Sequence, residues 1–352
     1  VSRDRDRARG RAKGRVRAAA LALLAAVSAG AVTPDRVQAQ ACTVGITGGP
    51  VPPGFGSDAC VKARDIFLFL APQVGTALSG GNVMLGEGGA LGGWGKRSIV
   101  LRTSVVEGYV PARSIDISGT EFLAPVDFGA QRVPVPVPSL DLAIGLLRGV
   151  PVGLTNVGGV DLLVGVTYMP SVTRDDFSLR PDGSGIAATL GARVGLLQES
   201  AAVPGVAVSY LRRRLPTTTA RYTTGDDSLG VLDARVATSV FRLTAKKHFG
   251  FIGIGGGIGQ DRHDSRTELS AIVNETVSGR AARAQLNVPE YRFTTTRTTF
   301  FGNVSFGLPR AQVVLEVGQS RAGDERITSN SFGDRKANEA YRYGSLGIGL
   351  RF

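Results

Sequence analysis

The stretch "QDRHDSR", residues 260–266, gathers the side chains of this sequence best suited to moving protons. On an extended strand Asp261 and His263 share a face, so the carboxylate can orient the imidazole as a general base, with Asp264 beside them. A second acidic pair, Asp175 and Asp176, lies in an earlier linking segment, where adjacent residues on a strand would point apart. His248, the other histidine, falls in a tight turn, which leaves no Ser-His pair at a strand edge. "ALGGWGKR", residues 90–97, misses a phosphate-binding loop at both ends, with Ala90 in place of the first Gly and Arg97 in place of Ser or Thr. Two His and two Cys are too few for an ordinary His/Cys metal cluster. Asp182, Asp226, Asp227, Asp324 and Glu325 read as solvated loop charges, outside any twelve-residue calcium pattern. No cofactor or metal is expected, and no catalytic residue is assigned.

The net charge of +12 does not make a nucleic-acid surface. Half of it sits in residues 1–41, which hold nine Lys and Arg against Asp4, Asp6 and Asp35. There a basic region, an uncharged apolar run over residues 18–32 and Ala39-Gln40-Ala41 read as a cleaved export leader, with a mature chain starting at Cys42. The run is shorter than the roughly 20 residues of a spanning helix, and nothing after it approaches that length. Cys42 then has two readings: a lipidated cysteine, or a disulfide with Cys60, the other cysteine, in an oxidising compartment.

The elements that must carry these residues are strands. From Arg97 onward, segments of about ten residues alternate an apolar parity with a small, polar or charged one. In residues 98–109 Ile99, Leu101 and Val105 oppose Arg102 and Ser104; in residues 139–149 Leu140, Leu142, Ile144 and Leu146 oppose Asp141, Ala143 and Gly145. About ten such strands follow one another, with 12–14 as the alternative count, and the parity slips near Phe241 and Phe300 predict bulges. Long polar links near residues 110–137, 171–184, 216–230, 264–290 and 322–338 alternate with short ones near 150–156, 199–202, 247–248 and 308–310. Two loop classes and an even strand count describe an all-β, closed antiparallel transmembrane barrel, its apolar parity turned to lipid and its polar parity to the lumen.

The chain closes on "YRYGSLGIGLRF". Ser345, Gly347, Leu350 and Phe352 there resemble the C-terminal signal by which bacterial outer-membrane barrels are recognised for assembly. The resemblance implies export to the outer membrane, with its lipid and the barrel-assembly machinery as partners. At ten strands the Asp261-x-His263 spacing is also similar to a pair of the omptins, outer-membrane proteases that set it opposite a second Asp pair at the rim; Asp175-Asp176 is the nearest such pair here.

The domains are therefore read as a leader (1–41), an N-terminal periplasmic or plug segment (42–96) and the barrel (97–352). On the lumen parity are expected Arg102, Asp141, Asp161, Arg193, Arg213, Asp233, Arg235, Arg297, Glu316 and Arg351. Two readings fit them: a mutually neutralising network that fills the barrel, or an Arg-rich wall that passes anionic solutes. Gly253, Gly255, Gly257 and Gly259 form a bare stripe on one strand, which invites close approach. Residues 66–82, with Pro72 to start a short helix and Gly80-Gly81 to stop it, either enter the periplasmic mouth and rest on that stripe or lie outside it. The functional expectation is a narrow passive channel or uptake protein for a small solute, with a poreless structural or surface-interaction barrel as the alternative and a rim protease as a distant third.

Overall fold

The computed structural model describes residues 43–48, 57–112, 125–277, 279–308, 310–321, 323, 327 and 329–352. The predicted leader and Cys42 lie outside these described residues. The elements in chain order are β1 (Thr43–Gly48), α1 (Ser57–Ser79), β2 (Arg97–Val110), β3 (Gln131–Leu147), β4 (Val150–Val152), β5 (Thr155–Val157), β6 (Gly159–Tyr168), β7 (Val172–Arg174), β8 (Phe177–Pro181), β9 (Ile186–Leu197), β10 (Gly205–Arg214), β11 (Thr218–Thr224), β12 (Asp227–Phe249), β13 (Ile252–Val277), β14 (Arg280–Leu308), β15 (Ala311–Arg321) and β16 (Tyr341–Arg351). Among the described residues no helix is long and apolar enough to cross a membrane.

Ten antiparallel strands close into a ring. The order runs β2, β3, β6, β9, β10, β12, β13, β14, β15, β16, and β16 pairs back onto β2 from Tyr343↔Val106 to Arg351↔Ser98. The last residue, Phe352, exchanges both backbone hydrogen bonds with Arg97. Closure leaves the ring no free edge over this stretch, which a layer without water requires. One end of the ring carries the short turns, such as the one at Gly250 between β12 and β13; the other carries the long links.

The outer face follows the alternation in sequence. On β2 Ile99, Leu101 and Val105 point out, while Val100, Arg102 and Ser104 point in. The same band continues around the ring through Leu140, Val166, Leu190, Leu243, Ile258, Leu315 and Leu346. Phe249, Phe251 and Trp94 are exposed at the short-turn end, and the amphipathic indole of Trp94 suits a membrane–water boundary.

β12, β13 and β14 have 23, 26 and 29 residues, well beyond the roughly 9–11 that cross a bilayer. They rise past the band at the long-loop end, where β11, β8, β7 and β1 add to the same sheet. Along β14 the polarity of the two faces inverts. Near the short-turn end Phe300 and Phe306 face out and Arg297, Thr299 and Ser305 face in; toward the hairpin tip Arg283 and Arg292 face out and Ala284, Leu286 and Phe293 face in. The lower half is thus built for lipid and the upper half like a water-soluble protein.

The register corrects two sequence expectations. Pairing of β12 with β13 slips between Leu232 and Arg235, and Asp233 there has φ 49. Asp233 and Arg235 keep the outward parity of Leu243 below them and are exposed on the outside, not facing the lumen, while Ala234 and Val236 turn in; above the bulge the parity flips and Val231 turns in. No bulge occurs near Phe241 or Phe300, whose pairings are continuous. The apparent slips arise because apolar Val240 and Phe301 face inward, against an apolar occupant of the lumen.

β3 has a further peculiarity. It pairs with β2 from Gln131 to Ile144, but with β6 only from Ser139 onward. Above that point Pro134, Pro136 and Pro138 alternate along the strand, so their missing N–H groups fall on the edge away from β2.

The outward band is testable. Leu346→Arg should lower unfolding stability in lipid vesicles by about 2–4 kcal/mol, as for a cation near a bilayer midplane. An unchanged urea midpoint would show that this face does not meet hydrocarbon.

Candidate functional site: the filled lumen

The lumen is occupied by the chain's own N-terminal segment. α1 opens with Asp58 in its first turn, ion-paired to Lys62 at 2.6 Å, and runs for 23 residues through Pro72 to Ser79. It therefore begins fifteen residues before the Pro72 start that the sequence suggested, though Gly80-Gly81 does end it. Cys60 is disulfide-bonded, and the one other cysteine of the chain is Cys42. In the upper barrel Ile66, Phe67, Phe69 and Leu70 pack against Leu229, Leu269, Leu286 and Phe293. Phe69 stacks on Phe332 at 4.0 Å between ring centroids, Phe332 on Phe128 at 4.9 Å, and Phe67 meets Tyr291 edge-on at 5.8 Å. Gaps between helix and wall measure only about 50 and 30 Å³, small beside the roughly 300–1,000 Å³ of a ligand pocket.

Below the helix the chain descends without regular structure to Arg97, and the wall's charges hold it. Helix ends leave carbonyls without partners, and cations are favoured there. α1 has no basic residue in its last turn; Arg242 of β12 supplies one, donating to Gly81 O at 3.0 Å and Ser79 O at 3.4 Å. Arg102 donates to Asn82 O at 2.8 Å, and Glu316 accepts the Asn82 N–H at 3.1 Å. Lys246 donates to Gly86 O, and both oxygens of Asp161 accept the Leu91 N–H at 3.1 Å. Val83, Met84 and Leu85 fill the remaining space against Val100, Leu163, Leu211 and Val314. Gly81 has φ +68, and a Cβ there would lie 1.6 Å from a Glu316 oxygen, so only glycine fits.

Behind these grips the wall charges neutralise one another. Arg102 pairs with Asp141 at 3.1 Å, Arg193 with Asp161 at 2.8 Å and Arg242 with Asp261 at 2.7 Å, all with side chains at most 5% exposed. Arg213 is buried in the same layer. Arg297 sits higher, donating to Ser320 Oγ at 3.2 Å and to Glu339 O, over the ring of Tyr341. Arg351 reaches Glu87 at 2.7 Å near the short-turn mouth. Of the expected lumen residues, Arg102, Asp141, Asp161, Arg193, Arg213, Arg297, Glu316 and Arg351 are turned inward; Asp233 and Arg235 are not. Arg242 and Lys246, the two cations that hold the plug backbone from β12, also face inward and were not among the residues expected there.

The acid–base pair also lies elsewhere than expected. Asp261 and His263 share a face, but they sit fully buried in the lumen beneath α1 and not at the rim. Asp261 accepts from Arg242 at 2.9 Å and Thr299 at 2.6 Å, while His263 Nδ1 shares a hydrogen bond with Thr238 at 3.0 Å. Gly75 faces His263 so closely that a Cβ would lie 2.6 Å from its ring. Asp264 points away, to Arg262 and Thr294. Asp175 and Asp176 form the β7–β8 turn, outside the lumen, and Asp175 has φ 45. The rim arrangement drawn from the sequence is therefore not formed by these residues. The depth was misjudged because β13 continues beyond His263 as far as Val277.

The glycine stripe has a different use from the one expected. A Cβ at Gly253, Gly255, Gly257 or Gly259 would strike Lys246, Asn303, Phe301 or Arg242, all side chains of neighbouring strands. The bare strand makes room for the wall's own side chains to lie across it, and the plug rests elsewhere. In the terminal strand Ser345 and Gly347 face inward, Ser345 bonding Ser104 at 2.8 Å, while Leu350 and Phe352 face outward.

Two predictions follow from the grips. Asp161→Leu strands the buried Arg193 and the Leu91 N–H, and should cost about 3–5 kcal/mol; adding Arg193→Met should recover much of this in a double-mutant cycle. A strictly additive pair would show that Asp161 and Arg193 do not interact. Burial pushes the Glu87 carboxyl up, but Arg351, with Arg193 and Lys246 beyond it, more than offsets this and holds it below its ordinary 4.5. A depressed folded-state value contributes stability above the unfolded value and loses it as pH falls through the folded one. Between about pH 5 and pH 3 the wild type should therefore lose more stability than Glu87→Gln. Parallel acid titrations of the two would break that assignment.

No family model matches the sequence, and no curated protein is significantly similar to it. Among solved structures, the outer membrane protease OmpT from Escherichia coli aligns at 10% identity over 73% of this chain and 96% of that one, with a TM-score of 0.36. The translocator domain of the autotransporter NalP from Neisseria meningitidis aligns at 11% identity over 74% and 89%, with a TM-score of 0.34. Ail, the attachment invasion locus protein of Yersinia pestis, aligns at 10% over 74% and 99%, with a TM-score of 0.24. On its own closed ring and apolar outer band, this chain is a closed antiparallel β-barrel of the membrane-spanning kind.

Proposed function

We propose that the protein is a narrow outer-membrane channel for small solutes that is closed at rest by its own N-terminal segment. The observation that carries this reading is the set of bonds from Arg102, Asp161, Arg242, Lys246 and Glu316 to the backbone between Ser79 and Leu91. Groups that would line a solute path are spent on a resident chain. Conduction then requires that chain to shift, and the role is passage without chemistry. The leader-like residues 1–41 support export, the apolar band supports outer-membrane lipid as solvent, and the Ser345-Gly347-Leu350-Phe352 pattern supports delivery by the barrel-assembly machinery. A surface-interaction barrel is the second reading, favoured by the rise of β12, β13 and β14 beyond the band.

Single-channel recording in planar bilayers tests the choice. The chain from residue 42 should be silent, Arg102→Ala with Arg242→Ala should show brief openings, and removal of residues 42–82 should give sustained conductance. Heat-modifiable gel migration identifies folded barrels. Folded but silent protein in all three cases would overturn the channel reading in favour of the second.

A further inference from the structure

The partners of the N-terminal segment fix the direction in which it runs. β12 descends from the long-loop end to the short-turn end, and the segment meets it in the same order. The first half of α1 packs on Leu229 and Val231, the carbonyls of Ser79 and Gly81 are held by Arg242, and that of Gly86 by Lys246. The chain reaches the short-turn end as Lys96 O accepts the Gly145 N–H, and β2 starts there. Upstream, β1 pairs with Ala282–Asn287 of β14, a few residues from the hairpin tip at Gly279. α1 alone spans about 35 Å. A plug pushed in from the short-turn mouth would have both its ends at that mouth; here Thr43 and Arg97 lie at opposite ends of the ring. Of the two sequence readings, entry by the short-turn mouth and a place outside the barrel, neither describes this path.

We propose that the barrel serves as an anchor that passes its own N-terminal segment through the lumen and displays the chain around β1 on the outer surface of the cell. The proposal rests on the outer-membrane reading, because it is in such barrels that the long links face outward and the short turns face the periplasm. Six residue pairs with β14 hold β1 to the projecting hairpin. Just inside, Asp65 accepts from both the backbone and the side chain of Asn330 in the last long link, at 3.2 and 2.9 Å. What is presented is therefore a fixed strand on the outer extension and not a loose tail.

The test uses the full chain in intact cells, with one epitope inserted at a time: after Ala41, after Gly48, at Gly279 in the β13–β14 tip, or at Gly250 in a short turn. Antibody binding is compared before and after permeabilisation, for variants that keep heat-modifiable migration. Two N-terminal positions guard against a local folding defect. Expected is binding to intact cells at both N-terminal positions and at Gly279, with Gly250 reached only after permeabilisation. Exposure at Gly279 with both N-terminal epitopes hidden overturns the display proposal and leaves the barrel reading in place. Exposure at Gly250 with Gly279 hidden, or exposure of none before permeabilisation, overturns the orientation or location and the proposal with it.

Discussion

Backbone packed inside a filled barrel lumen still needs a partner for every buried N–H and C=O, so a stretch that is neither helix nor sheet depends on the wall for them. The descent from Gly80 to Leu91 is such a stretch, and the rest of the lumen is arranged around it. Amide groups face Glu316 and Asp161, and carbonyl groups face Arg102, Arg242 and Lys246. Arg102, Asp161 and Arg242 would be costly to bury alone, and their pairing with Asp141, Arg193 and Asp261 makes the arrangement tenable. Wall and segment each satisfy what the other cannot, which ties the fold of one to the presence of the other.

The helix meets a different requirement. Its backbone is satisfied internally except at its ends, so it can occupy the upper barrel against a largely apolar wall. That is where β13 and β14 invert their faces and turn Leu269, Ala284, Leu286 and Phe293 inward. A regular element sits where the wall is greasy, and an irregular one where the wall is charged. The boundary falls near His263 and Gly75, at the level where the outer face changes from polar to lipid-like.

This division explains what the sequence could and could not disclose. Period-two alternation and two loop classes were enough for the ring of ten strands and for the inward set from Arg102 to Arg351, because lipid outside imposes one rule on every strand. Above the band that rule reverses, so residues 264–290 read as a polar link although they form the tall hairpin of β13 and β14. Asp233 and Arg235 share the outward parity of Leu243, and they were misassigned because their inward neighbours Ala234, Val236 and Val240 are apolar, the reverse of the rule lower in the barrel. Val240 and Phe301 looked like slips because an apolar lumen residue makes sense only once an apolar occupant is known. Asp261-x-His263 kept its shared face, as spacing alone ensures, but its depth depended on how far β13 continues.

The three prolines of β3 bear on how such molecules live side by side. A strand with one open edge would ordinarily invite the same edge of a neighbour, and in a crowded membrane copies meet constantly. Pro134, Pro136 and Pro138 remove the donors along the stretch where β6 has already stopped. Among the described residues no strand pairs that edge, and without donors it offers a neighbouring copy little on which to build a shared sheet.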